Sequence, residues 1–201
     1  MAWFLPLLAF FGVTLAAKKT QASTPNKGVV YDTPFGPYPA PNTPLPQYIS
    51  LAQLSTIISN VANKDGFPYR PEVMIALAKV ESGDINSKSA PFDRKAYRYE
   101  PHLGEASYGI FQMLASTAKD MGLKGNPEQL YDPYIATEYM IKYVLWIKNF
   151  LAKKLGREPT LTEILYSYNG GVGTFLRNKN GTPATRQYVK KYNTAFDTVV
   201  A

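Results

Sequence analysis

From residue 50 onward the apolar positions fall at helical spacing. Leu51, Leu54, Ile58 and Val61 make one stripe, broken at Asp65-Gly66. A second, shorter helix is predicted over Pro71 to Ser82 (PEVMIALAKVES), because proline suits a first helical position and Gly83 supplies a stop. A polar and aromatic stretch occupies 84–108, followed by the segment Gly109 to Ala118 and a turn around Gly122 to Pro127. Asp132 and Pro133 provide an N-cap and a first-turn proline for the longest helix. Its stripe includes Ile135, Tyr139, Met140, Tyr143, Ile147 and Phe150, and it ends near Gly156. Thr160 and Glu163 form a capping-box pattern ahead of Ile164 and Leu165. A last helix starts near Pro183 and carries Tyr188, Tyr192, Phe196 and Val199 on one face. No strand alternation matches these stripes, so the fold class is mainly α, with room for a small β-hairpin inside 84–108.

The first 47 residues follow a different rule. Residues 2–17 are uncharged and apolar, and Lys18 and Lys19 follow them. A sixteen-residue helix reaches about 24 Å, short of the roughly 30 Å hydrocarbon core, and Pro6 interrupts it. Residues 1–19 therefore read as a hydrophobic anchor or a signal segment. Thr14, Ala16 and Ala17 suit cleavage, while the lack of positive charge before the apolar run departs from a standard signal. Residues 20–47 contain prolines at 25, 34, 37, 39, 41, 44 and 46, which rule out helix interiors and central strands. This tract reads as a semi-extended linker to a domain at 48–201. Tyr31, Phe35 and Tyr38 also give it the means to pack as a strap on that domain.

Composition narrows the chemistry. The chain of 201 residues has 45% hydrophobic residues, enough for one cored domain with appendages. It has no cysteine and one histidine, His102, which removes disulfide frameworks, thiol catalysis and cysteine/histidine zinc sites. Neither a metal nor a cofactor is expected. The net charge of +7 suits polyanionic surroundings, but the lysines and arginines are scattered and no basic run is interleaved with aromatics, so nucleic acid is not an expected partner.

The most informative residue is Glu81. It falls in the last turn of the Pro71–Ser82 helix, on the face of Leu77 and Met74. Burial on that face and the negative end of the helix dipole both disfavour its anion. A carboxyl group kept neutral near neutral pH is what protonation of a glycosidic oxygen requires.

Glu81-Ser82 is the first of three motifs, followed by Gly109-Ile110-Phe111-Gln112-Met113 and then Tyr168-Asn169-Gly170-Gly171. Asp132-Pro133, Tyr143-Val144 and the run Thr185-Arg186-Gln187-Tyr188-Val189 lie among and after them. In order and spacing, over roughly residues 50 to 195, this series resembles the lytic transglycosylases with a soluble-lytic-transglycosylase (SLT), lysozyme-like domain. The resemblance implies cleavage of the β-1,4 bond between N-acetylmuramic acid and N-acetylglucosamine in peptidoglycan, with Glu81 as the single catalytic acid and base. It implies substrate contacts from Ser107, Gln112, Met113, Tyr168 and Asn169. The Tyr168 hydroxyl would orient Glu81 or the sugar, and the Gln112 amide would fix an N-acetyl or hydroxyl group. Its expected partner is the glycan strand, reached at the cell-wall side by a membrane-associated or exported protein.

The chain departs from the family pattern in places. Gly170 stands where alanine is usual, Ala136 and Met140 where asparagine and glycine are frequent, and Ala184 where glutamate is frequent. The insertion at 84–108 contains Arg98-Tyr99-Glu100-Pro101, a run resembling phage-associated members, and this leaves virion or secretion-complex partners open. It also brings Asp93, Glu100 and Glu105 between the first two motifs. A water activated by one of them would make the enzyme a muramidase like goose-type lysozymes, whereas salt bridges to Arg94, Lys95 and Arg98 would make them solvated loop residues. His102 reads as a loop residue rather than a proton shuttle. A third alternative is an inactive wall-binding or virion structural protein that keeps the fold.

Overall fold

Helix starts in this molecule are written in cap residues. Ser50 caps α1 (Leu51–Asp65) in a full capping box with Gln53, and Thr160 does the same with Glu163 for α5 (Leu161–Gly170). Asp132 accepts from the Tyr134 and Ile135 amides at the head of α4 (Pro133–Leu155), and Thr182 caps α7 (Pro183–Val200). Proline opens α2 (Pro71–Ser82), α4 and α7, where its missing N–H costs nothing. Left-handed Gly66 and Gly156 end α1 and α4. The computed structural model describes residues 30–33, 36–39 and 45–201; the anchor or signal segment at 1–19 lies outside them.

Two short helices, α3 (Ala115–Asp120) and α6 (Val172–Arg177), complete a mostly helical domain. α2 is its hub, packed against α1 on one side and α7 on the other. α4 lies on α1, and α5 bridges α4 and α7. Every residue of α2 from Val73 to Lys79 is buried, so this helix is enclosed on all sides rather than amphipathic. Truncating a side chain such as Met74, which is fully buried, would cost about 2–5 kcal/mol. Lys79 tolerates this setting because its amine donates to the Ser87 carbonyl, which ties down the chain leaving α2; burial lowers its pKa. The enclosed helix ends at Glu81 and Ser82, which puts the carboxyl at the edge of the core.

The hairpin expected within 84–108 is present and is one strand larger than expected. β5 (Tyr97–Glu100) pairs antiparallel with β6 (Glu105–Tyr108), and β6 with β7 (Met113–Leu114). The segment Gly109 to Ala118 thus divides into a turn, the strand β7 and the start of α3. Gln112 holds a left-handed backbone at φ +45° within the turn.

A two-residue pairing of β3 (Tyr48–Ile49) with β4 (Phe92–Asp93) joins the start of the domain to the insertion. Arg94 reinforces it by donating to the carbonyls of Leu45, Pro46 and Tyr131, so it serves as a clamp rather than as a partner for the loop acids. Positions 45–47, the end of the expected linker, are thereby held on the domain. Upstream, β1 (Val30–Thr33) and β2 (Gly36–Pro39) form a two-stranded hairpin, a setting in which the prolines of β2 need no second neighbour. Among the described residues no helix is long and apolar enough to cross a membrane.

Candidate functional site

The end of α2, the β5–β6 hairpin, the β6–β7 turn, α4 and the end of α5 enclose a cleft of about 290 Å³. Glu81, Ser107, Gln112, Met113, Tyr168 and Asn169 all line it. Residues spread over nearly ninety positions are brought together, and the fold adds Arg98, Glu100, His102 and Tyr143 to them.

Glu81 is closely surrounded yet opens onto the cleft. Burial pushes its pKa up to about 7. Hydrogen bonding from Tyr188, the Arg98 charge and Tyr168 pull in the opposite direction, and the Glu100 charge adds to the rise. Desolvation dominates, so the carboxyl is near half-protonated at neutral pH.

Its closest partner is a residue that the sequence marked as part of a core stripe and of the Thr185–Val189 run, with no contact to Glu81 expected of it. The Tyr188 hydroxyl, from α7, donates to Glu81 Oε1 at 2.6 Å. Tyr168 is within reach of the same carboxyl, but its proton is directed at the Phe111 carbonyl at 3.0 Å. Tyr188 thus stands beside Tyr168 at this carboxyl and makes the direct bond to it. A signal was available: a tyrosine among the apolar positions of a buried stripe brings a hydroxyl that needs a partner inside the protein.

Gln112 is fixed at both ends of its amide. Oε1 accepts from Ser107 Oγ at 3.1 Å and Nε2 donates to the Gly109 carbonyl at 3.0 Å, which leaves one amide proton for the cleft. Ser107 was expected to touch substrate. It is buried, and its single hydroxyl proton is shared between Gln112 and the Arg98 carbonyl, so it serves to hold Gln112. The turn beneath requires glycine. At Gly109, φ is +73° and a Cβ would fall 2.1 Å from the Leu130 carbonyl oxygen. Phe111 is fully buried in the core, whereas Met113 reaches the cleft wall.

The glycine found in place of alanine at position 170 has a local cause. A Cβ there would lie 2.6 Å from Thr185 Cγ2, where α5 meets α7. That close approach brings Tyr168 and Tyr188 ring to ring, with centroids 5.9 Å apart.

The three insertion acids part company. Asp93 accepts from Gln47 and the Lys95 amide, and Glu105 caps α3 by accepting from Ser116 N and Oγ. Neither lines the cleft. Glu100 does, paired with Arg98. Strand alternation explains this: Arg98 and Glu100 share the cleft face of β5, while Tyr97 and Tyr99 point outward and are more than half exposed. His102 lies at the hairpin tip, also on the cleft.

The helical domain thus gathers a neutral-prone carboxyl, a fixed amide and tilted tyrosine rings around one cleft. The family model described as "Transglycosylase SLT domain" matches residues 59–191, and the chain belongs to that family. Membership carries lytic transglycosylase chemistry on peptidoglycan at the level of the family and agrees with the lysozyme-like helical fold. A comparison with curated proteins finds no match.

Proposed function

We propose that this protein cleaves the β-1,4 bond between N-acetylmuramic acid and N-acetylglucosamine and closes a 1,6-anhydro ring, with Glu81 acting first as acid and then as base. The carrying observation is a glutamic acid with a pKa near 7 on the wall of the cleft. Because Oε1 accepts from Tyr188, the acid's own proton belongs on Oε2. That proton goes to the leaving glycosidic oxygen as the C1–O bond breaks. The resulting carboxylate, returned by burial to high proton affinity, removes the proton of the muramyl C6 hydroxyl as O6 bonds to C1. Atoms balance without water. Gln112 offers its remaining amide proton to the sugar, and Asn169 and Met113 complete the wall around it.

One observation favours a second reading. Glu100 lines the same cleft, so a water activated there would give hydrolysis and a reducing muramic acid. Glu100 Oε1 is already engaged by the Arg98 guanidinium, which supports the first reading. Mass spectrometry of digested murein separates the two: anhydro-muropeptides are expected, and reducing ends alone would overturn the anhydro assignment. An unchanged yield from Glu81→Gln would overturn the catalytic one and leave a wall-binding role.

The substrate places the action on the cell-wall side, reached by export or through residues 1–19. Stem-peptide carboxylates make the net charge of +7 favourable for encounter in a salt-dependent way. Whether the carrier is a cell or a virion is tested by looking for the protein in purified particles.

A further inference from the structure

The β5–β6 hairpin has a second face, turned away from the cleft, and that face is aromatic. Tyr97 and Tyr108 are cross-strand partners with ring centroids 5.3 Å apart at 76°, and Tyr108 meets Tyr131 at 5.8 Å and 51°. Rings set edge to face and tilted make a ridged apolar surface. Tyr97 at one end of the series is 56% exposed, and Tyr99, two residues on along the same face, is 53% exposed. β5 is also the outer strand of its sheet, so the face has room beside it.

The chain itself arrives at this surface. Arg94 Nη2 donates to the Leu45 carbonyl and Nη1 to the Tyr131 carbonyl, so one guanidinium seats Leu45 beside the residue whose ring ends the series. Immediately before Leu45 the sequence reads Ala40-Pro41-Asn42-Thr43-Pro44. Prolines three apart fall on one side of a polyproline II helix, which advances about 9 Å in a turn of three residues. Two centroid steps of 5.3 and 5.8 Å cover that length. Aromatic-lined surfaces take proline pairs of this spacing because a preformed extended helix loses little entropy on docking. Anchoring at Leu45 also gives the segment a high local concentration at the rings.

We propose that residues 40–44 dock on the Tyr97–Tyr108–Tyr131 face, with Pro44 against Tyr131 and Pro41 against Tyr97. The occupant is this chain's own proline tract, assigned from continuity with the Arg94 clamp and from the match of proline and ring spacing. Positions 45–47 are already held on the domain, and the docking extends that hold to residue 40. The tract then backs the hairpin whose opposite face carries Arg98 and Glu100 into the cleft, so it braces the cleft wall as well as spanning distance.

The test is NMR on the full chain, with a synthetic peptide of residues 34–47 as the reference for an undocked tract. Cross-relaxation is expected between the ring protons of Tyr97 and the δ protons of Pro41, with ring-current shifts of the Pro41 and Pro44 signals away from their peptide positions. Tyr97→Ser should return Pro41 to its peptide position. Pro41→Ser combined with Pro44→Ser should move the Tyr97 ring signals while the Arg94 amide, bonded to Gln47, stays in place. That second variant alters no core residue, so it reads out even where Tyr97→Ser fails to fold. Proline signals already at their peptide positions in the unsubstituted chain would overturn the docking, and so would Tyr97 ring signals indifferent to the proline changes. Contacts seen only between differently labelled copies would give the face to a second copy and overturn it as well.

Discussion

Two glutamates in this protein sit at opposite ends of helices and are driven to opposite charge states. Glu81 closes α2, where burial raises its pKa to about 7. Glu163 stands in the first turn of α5, where Arg157, the Thr160 amide and the Thr160 hydroxyl lower its pKa to about 2, against a smaller opposing effect of burial. Arg157 grips it through its two terminal guanidinium nitrogens, at 2.6 and 2.9 Å. Glu163 is a structural anion, with each oxygen taken by a donor. Glu81 has one strong donor, Tyr188, and a desolvated setting, which leaves it able to exchange a proton. The same side chain becomes a cap or a candidate catalyst according to how many donors surround it.

The largest expected break in this comparison is chemical. Glu81→Gln keeps the shape and removes the exchangeable proton, and should reduce anhydro-muropeptide release about 10³-fold or more, measured by mass spectrometry of murein digests. Glu163→Gln should leave that yield unchanged where both proteins are folded.

The next is thermodynamic, and the two residues should move in opposite senses with pH. Glu81 has a folded pKa above its unfolded value, so its favourable contribution is present below about pH 4.5 and is lost as pH rises through about 7. Relative to the parent, Glu81→Gln should therefore gain stability with rising pH, by up to about 3 kcal/mol above pH 8 in urea melts. A gain that is flat with pH would remove the raised pKa from the argument.

A third expectation sharpens the role of the donor. Tyr188→Phe removes the hydrogen bond that lowers the Glu81 pKa, so the alkaline limb of activity should shift to higher pH while the rate at the optimum falls about tenfold. A pH profile that keeps its limb would return the orienting role to Tyr168. Glu163→Gln should have the smallest effect. Its folded pKa is depressed, so its contribution is present above about pH 4.5 and is lost as pH falls through about 2. Because Arg157 is largely in solvent, the loss at neutral pH should be about 1 kcal/mol, read from melting in buffer and reduced by salt.

Much of the fold was legible along the chain because caps and stripes are local. Ser50, Asp132, Thr160 and Pro183 mark helix starts through contacts made within a few residues, and the structure uses each of them. The third strand was not legible: Met113–Leu114 is two residues long and exists through pairing with β6. The cleft residues were legible as motifs, but two of their contacts were not. Ser107 turns its hydroxyl to Gln112, and Tyr188 reaches Glu81 across 107 positions.

The sequence by itself determined the helical frame, the absence of thiol chemistry and a carboxyl placed at the end of an apolar helix. Those follow from periodicity, residue type and capping, which act over one or two turns. Tertiary structure alone decided which acids face the cleft and which tyrosine holds Glu81. Desolvation and hydrogen bonding depend on atoms a few ångströms away in space, and in this fold those atoms come from α4, α5, α7 and the β5–β6 hairpin together.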